Sequence, residues 1–454
     1  MALFCRFRRR GNDDTVVHFA PNPLRLLAKS HQHGSSASLE DLVKTRCPSL
    51  FTPFETTFYL NSGHVQTFYS LYPGLFATDK VWYRRQHIRL IDGGTLGLDF
   101  TPIDEKLPDE TPIIVVLPGL TGGSYEPYVK AILARVITPV NRGGLGYRAV
   151  VVNHRGCGGV PVTSPTFYTA GETEDIRQAL IYLSYKFPRA QLHGLGFSLG
   201  ANHVTRYIAE EGENSRLWSA CALANPWDFH ANSDALDASF IGHNVYHRAL
   251  GTNIQNLVLR HQKALAINHP GHPMVEAVNR AVNLKYPHLK AFDCAFTRHV
   301  GGRPGWKGKG LYFPFISVGD YYDYVSSHRM VNDIKVPYLG INSADDPIVQ
   351  LVPTFTNGHG NPYVVMTLTA GGGHLGWFKD ASGDRWTTKP VLEWLRMLVD
   401  DIHWESDVQR GERIFVDSEG WIREPGTSHL GCKEVEGGGL IDGNRGESGV
   451  FQGL

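Results

Sequence analysis

The chain has 454 residues, 42% hydrophobic and 19% charged, which is ample for a large core in one or two domains. Lys+Arg and Asp+Glu both number 44, so the formal net charge is zero and the composition carries no basic footprint for nucleic acid. Six cysteines without C-x-x-C spacing argue against a zinc site and a disulfide scaffold, and for reduced thiols in an intracellular, cytoplasmic protein.

Residues 1–75 read as an irregular arm with short helices, rich in Pro, Ser and His. The opening MALFCRFRRRGNDD is basic but has no continuous apolar stretch, so a secretory signal is not expected. No run of 18 apolar residues follows anywhere, so no transmembrane segment is expected, and contact with a lipid surface would be peripheral. HIRLI and LGLDF, split by the turn Asp92-Gly93-Gly94, predict the first strands of a core over 76–228. PIIVVLPGL (112–120) is a continuous β-branched run ending in glycine, the signature of a buried parallel strand. Helical spacing in YVKAILARVITPV, strand RAVVVNHRGCGG (148–159) and amphipathic helix TEDIRQALIYLSYKF come next. Then AQLHGLGF (190–197), a helix from Leu199 and the strand SACALANPWD (219–228) continue the alternation.

The pattern breaks over 229–333, where helical pieces and Gly/Pro loops predict a cap or lid insertion. It resumes over 334–404 with VPYLGIN (336–342), YVVMTLTAGGGH (363–374) and the helix KPVLEWLRMLVDDI. The tail, 405–454, is Gly-rich and polar and reads as partly disordered. Strand–helix repetition with one late insertion predicts an α/β fold, a mostly parallel doubly wound sheet flanked by helices.

Gly196-Phe197-Ser198-Leu199-Gly200 fits G-x-S-x-G between a predicted strand and a predicted helix, the placement a nucleophile elbow requires. A plain Gly-Ser turn has the same pattern, so the partners decide the reading. A serine hydroxyl needs a base to take its proton, and the base needs a carboxylate to orient it. NSADDPIV (342–349) offers Asp346, and AGGGHLGW (370–377) offers His374, both at strand C-terminal ends where ligands bind in open α/β sheets. Asp346 is preferred because it precedes Pro347, where the chain turns away; adjacent Asp345 is the alternative if the register slips by one. The backbone N–H groups of Leu199 and of Leu120, in the glycine-rich loop 118–124, are the expected oxyanion donors.

In this order, LPGLTGGS, NHRGCGGVP, GETEDI, GFSLGANH, NSADDPIV and GGGHLGW resemble the α/β-hydrolase superfamily. The nearest branch is the YheT-like lipase/esterase group, with its medium-chain fatty-acid ethyl ester synthase/esterases. Weaker echoes are SGHVQTFYS (62–70), DGGTLGLDF (92–100), Phe292-Asp293 and VGDYYDYVSSHR (318–329). The resemblance implies the α/β-hydrolase fold with a helical cap, Ser198 as nucleophile, Asp346 as acid and His374 as base. It also implies an esterase acting on medium-chain acyl esters or acylglycerols with no metal or organic cofactor. Its small-molecule partners would be an acyl ester together with water or an alcohol. Many members carry His-Gly where this chain has Pro118-Gly119.

Two other readings share these residues: an alcohol O-acyltransferase using the same acyl-enzyme, and a non-catalytic ligand-binding protein on the hydrolase fold. Other motifs carry less. His328 and Asp333 fit H-x-x-x-x-D, but 21 histidines give roughly one such match by accident, and His328 is expected to seat the cap. GGRPGWKGKG (301–310) has Arg303 where a Walker A loop needs its first glycine, and reads as a cap loop. His154-Arg155 is expected to brace its loop, and His64 to be structural.

Overall fold

The computed structural model describes residues 15–29, 36–70, 79–103, 106–300, 314–354, 360–404 and 410–443. Its first strands are β1 (Val16–Phe19), β2 (Arg25–Leu27), β3 (Ser36–Ser38), β4 (Trp82–Leu90) and β5 (Thr95–Thr101). The core strands are β6 (Ile113–Leu117), β7 (Arg148–Asn153), β8 (Leu192–Phe197), β9 (Leu217–Leu223), β10 (Tyr338–Ser343) and β11 (Val364–Thr369). Last come β12 (Phe415–Val416), β13 (Ile422–Arg423) and β14 (Cys432–Asp442).

β2 and β3 form a separate ribbon; the other strands make one sheet in the order β1-β11-β10-β9-β8-β6-β7-β5-β4-β14-β13-β12. The six strands from β11 to β7 are parallel, whereas β5 and β4 run antiparallel. Every residue of β6, β7, β8, β10 and β11 is buried, because helices cover both faces of a parallel sheet. One apolar layer joins β6–β8 to the helices Pro127–Val136 and Thr388–Arg396. The other joins the same strands to the helices Glu174–Lys186 and Leu199–Glu211.

Between β9 and β10 the chain leaves the sheet and forms helices, among them Phe229–Ala238, Arg248–Gln262, Pro273–Val282 and Val318–Val325. They enclose a third apolar cluster, which Leu199 and the 157–170 segment share. The insertion therefore sits on the carboxyl edge of the sheet, above Ser198. The 301–310 stretch, with Arg303, lies outside the described residues, as does the basic opening segment.

The expectation of a disordered tail is corrected over 410–443. β14 pairs antiparallel with β4, with a register shift between Val435 and Gly439. The glycines permit that bulge rather than disorder: a Cβ at Gly438 would lie 2.0 Å from Arg85 O. The arm likewise contributes β1, which caps the far edge beside β11. Cys47, Cys157, Cys221 and Cys432 are free and buried, and Cys294 is free and exposed. Among the described residues no helix is long and apolar enough to cross a membrane.

Candidate active site

At the end of β8 the chain must turn directly into the helix Leu199–Glu211, and Ser198 makes that turn at φ 50° and ψ −115°. Such a backbone costs about 1–3 kcal/mol in a non-glycine residue. Its N–H donates to Leu223 O at 2.9 Å, which ties the turn to β9. A Cβ at Gly196 would lie 2.5 Å from Gly200 O, and one at Gly200 would lie 2.1 Å from Leu117 O. Both glycines are therefore packing requirements of this turn.

Ser198, His374 and Asp346 come together from the ends of β8, β11 and β10. His374 Nε2 lies 2.8 Å from Ser198 Oγ, and its Nδ1 lies 2.8 Å from Asp346 Oδ2. The other carboxylate oxygen, Oδ1, accepts the N–H groups of Ile348 (2.8 Å) and Val349 (2.9 Å). Asp346 is thus held by its own loop with one oxygen presented to the imidazole. A proton on Nδ1 shared with that oxygen leaves Nε2 as the acceptor facing Ser198. All three side chains are buried.

Asp345 points elsewhere. Its Oδ1 accepts the Ser343 hydroxyl at 2.6 Å and the Gly373 N–H at 2.9 Å, so it holds the backbone of the histidine loop. Burial pushes its carboxyl up from the ordinary range against the pull of those hydrogen bonds. The arm braces the same loop: Thr67 Oγ1 accepts the His374 N–H at 2.8 Å and donates to Gly63 O at 2.7 Å. Gln66 donates to Leu60 O and Phe378 O and accepts the Phe378 N–H. The 62–70 segment shows no sign of these roles of Thr67 and Gln66 in the sequence, because a contact across more than 300 residues leaves no local pattern.

The loop after β6 is fastened at several points. Tyr128 OH accepts the Gly119 N–H at 3.1 Å, and Ser124 bonds to Asn153 and Asp99. His154 bonds to the Pro118 carbonyl, stacks on Tyr168, and is held far below the ordinary imidazole range by burial. Arg155 pairs with Asp175 and Asp92. Both residues brace their loop, as the sequence suggests. Leu120 and Leu199 flank one cavity, and no backbone hydrogen bond occupies the N–H of either among the described residues. Two unengaged N–H groups beside a serine, one of them at a helix N-terminus, can hold a developing oxyanion.

That cavity, of roughly 60 Å³, runs from Leu120 and Leu199 into the insertion, where Phe229, Ile254, Leu289 and Phe296 line it. Asp293, Thr297 and Tyr321 supply its polar wall. Larger grooves lie elsewhere, such as one at Arg216, Trp218 and Arg410, which includes neither Leu120 nor Leu199. His328 bonds to Trp227 O and so joins the two ends of the insertion. His64 Nδ1 meets Tyr246 OH at 2.9 Å, linking arm to insertion. Among the described residues, no group of three or more His, Cys, Asp or Glu side chains is placed to hold a metal ion.

Comparison with known proteins agrees with this architecture. The alpha/beta hydrolase fold family matches residues 112–272. The embryogenesis-associated protein EMB8 of Picea glauca is 30% identical over 79% of this chain and 78% of its own length. A monoacylglycerol lipase of Saccharomyces cerevisiae is 29% identical over 82% of this chain and 87% of its own. The medium-chain fatty acid ethyl ester synthase/esterase 2 of the same yeast is 28% identical over 64% of this chain and 63% of its own.

Proposed function

The chain belongs to the α/β-hydrolase family, and from that premise we propose that it is a serine hydrolase cleaving carboxylic esters of lipids through an acyl-enzyme. The observation that carries this reading is the unbroken hydrogen-bonded series Ser198–His374–Asp346 beside two unengaged amides. Ser198 Oγ attacks the ester carbonyl as its proton passes to His374 Nε2. The oxyanion settles on the Leu120 and Leu199 N–H groups, while Asp346 fixes the imidazole tautomer and stabilises the imidazolium. Collapse of the intermediate breaks the bond to the alcohol oxygen, which leaves with the proton from His374. Water, deprotonated by His374, then releases the acid and restores Ser198.

The apolar walls supplied by the insertion suit an acyl chain, and one yeast relative is named for medium-chain esters. Burial of Ser198 and His374 restricts water at the acyl-enzyme, which favours a second outcome, transfer of the acyl group to an alcohol. Intact-mass spectrometry after mixing with a panel of acyl esters tests the proposal. One acyl mass retained on the parent and absent from Ser198→Ala is expected; acylation of both proteins refutes it. Added ethanol then measures the partition, as ethyl ester formed against free acid.

A further inference from the structure

At the amino edge of the sheet, opposite the edge that carries Ser198, β8 begins at Leu192 and β9 at Leu217. A groove of roughly 730 Å³ opens there, within the range of about 300–1,000 Å³ usual for small-molecule sites. Phe187, Leu192, Trp218, Trp404 and Ile414 supply its apolar surface, and Arg410 lies among them. The guanidinium sits 4.6 Å from the ring centre of Trp218 and 5.9 Å from that of Trp404. The two indoles meet edge-on at 5.2 Å, and the Trp404 N–H is anchored on Leu398 O at 2.8 Å.

The backbone beneath Arg410 is clamped. Arg216 donates to Arg410 O at 3.3 Å and to Glu412 O, and pairs with Glu424. A Cβ at Gly411 would lie 2.6 Å from Arg216 Cζ, so glycine lets the chain close onto that clamp. Arg189, also on the groove, is taken by Asp109 and Glu110 at 3.3 and 3.4 Å. Arg410 has no such partner. Its Nε is buried without an acceptor, and among the described residues no carboxylate pairs with it; Glu412, exposed on the same groove, forms no ion pair with it. Its charge is felt behind the groove, where burial and then Arg410 push the His193 imidazole down to about 3. Stacking on indoles satisfies the faces of a guanidinium and leaves unengaged its N–H edge, the part that pairs with an oxyanion.

We propose that this groove binds a small amphipathic anion, its carboxylate or phosphate held by Arg410 and its apolar body laid against Trp218 and Trp404. Carboxylate and phosphate share the paired oxygens that a guanidinium fork accepts, and the aromatic surface selects an apolar body over a bare ion. The site goes beyond the hydrolase reading and stands without it, since none of its lining residues belongs to the active site.

Calorimetry at fixed ionic strength compares octanoate, octyl phosphate, octanol and octylamine, which share one apolar body, with acetate and inorganic phosphate, the bare heads. Octanoate or octyl phosphate is expected to bind about tenfold or more tighter than octanol and octylamine, and the tighter of the two names the head group. Each bare head should bind more weakly than its octyl form. An octyl anion can also enter the acyl pocket, so the advantage over octanol is read again in two variants. It should fall close to one in Arg410→Leu and persist in Ser198→Ala. A diazirine-bearing analogue of the tighter anion should cross-link beside Trp218 or Trp404 in the parent, which decides the matter if Arg410→Leu does not fold. Octanol binding as tightly as both anions, tightest binding of octylamine, or bare heads equal to their octyl forms each overturns the proposal. So does an advantage that survives Arg410→Leu or is lost in Ser198→Ala, or cross-linking confined to the 229–333 insertion.

Discussion

Replacing Asp346 by Asn separates the two adjacent carboxylates, and the structure says how the amide must sit. Oδ1 of Asp346 accepts two backbone N–H groups, from Ile348 and Val349. An amide turned with its NH₂ toward them would strand both donors, at about 1–3 kcal/mol each. The Asn oxygen therefore takes the Oδ1 position and the NH₂ faces His374 Nδ1. Nδ1 must then accept, which moves the imidazole proton to Nε2, where it points at Ser198 and cannot receive the serine proton. The wrong tautomer should lower kcat/KM by roughly three to four orders of magnitude, equivalent to roughly 4–5.5 kcal/mol in the barrier. Asp345→Asn keeps an oxygen for Ser343 and Gly373 and leaves the tautomer alone, so it should cost about tenfold or less. The assay is kcat/KM on a chromogenic short-chain ester, with thermal unfolding to confirm that both variants fold. A larger loss in Asp345→Asn than in Asp346→Asn refutes the argument.

Ser198→Ala should abolish ester turnover and labelling by a fluorophosphonate, with the fold intact; activity within about tenfold of the parent rules out this nucleophile. His374→Ala should be as severe, and the double variant little worse, since the groups act as a unit; strictly additive losses would contradict that. Gly200→Ala places a methyl 2.1 Å from Leu117 O, so the unfolding temperature should fall, by the equivalent of about 1–3 kcal/mol. An unchanged unfolding temperature would mean the elbow is looser than described. Thr67→Val leaves the buried His374 N–H without its acceptor and should lower kcat more than it changes KM, marking a positioning residue. A change confined to KM would instead place Thr67 at the substrate.

What the sequence made legible follows from the range of the forces involved. β6 and β7 announce themselves because burial on both faces demands continuous apolar runs, a local requirement. Ser198 is visible because the turn excludes any side chain at 196 and 200, which writes two glycines at fixed spacing. Asp345 and Asp346 could be ranked but not separated, since the turn after β10 decides which carboxylate faces His374. That turn is set by Ala344 N–H bonding to Thr369 O and by the Asp346 N–H reaching back to Ser343. β14 escaped notice because only one side of this strand is covered, and its glycines serve a bulge that composition cannot distinguish from disorder. Thr67 acts across three hundred residues of chain, so its contact with the His374 backbone leaves no local pattern.

The helix that begins at Leu199 couples Ser198 to the pocket wall. One turn after Ser198, Asn202 donates to Ala170 O at 2.9 Å and to Val325 O at 3.1 Å. Beside it, His203 Nε2 meets Thr169 O at 2.7 Å, and burial pushes that imidazole down to about 4, so it stays neutral and holds the carbonyl through a ring N–H. The segment 167–170 that lines the cavity and the end of the insertion are thus registered against the same helix that sets the serine. The base of the insertion is closed in the same way, with Asn225 bonded to Ser327 and the Phe229 N–H bonded to Ser326. A wall that shifts must carry these hydrogen bonds, and with them the helix turn that aims Oγ. Pocket shape and the placement of Ser198 are therefore one mechanical unit, and changes to the wall at 167–170 should move kcat along with KM.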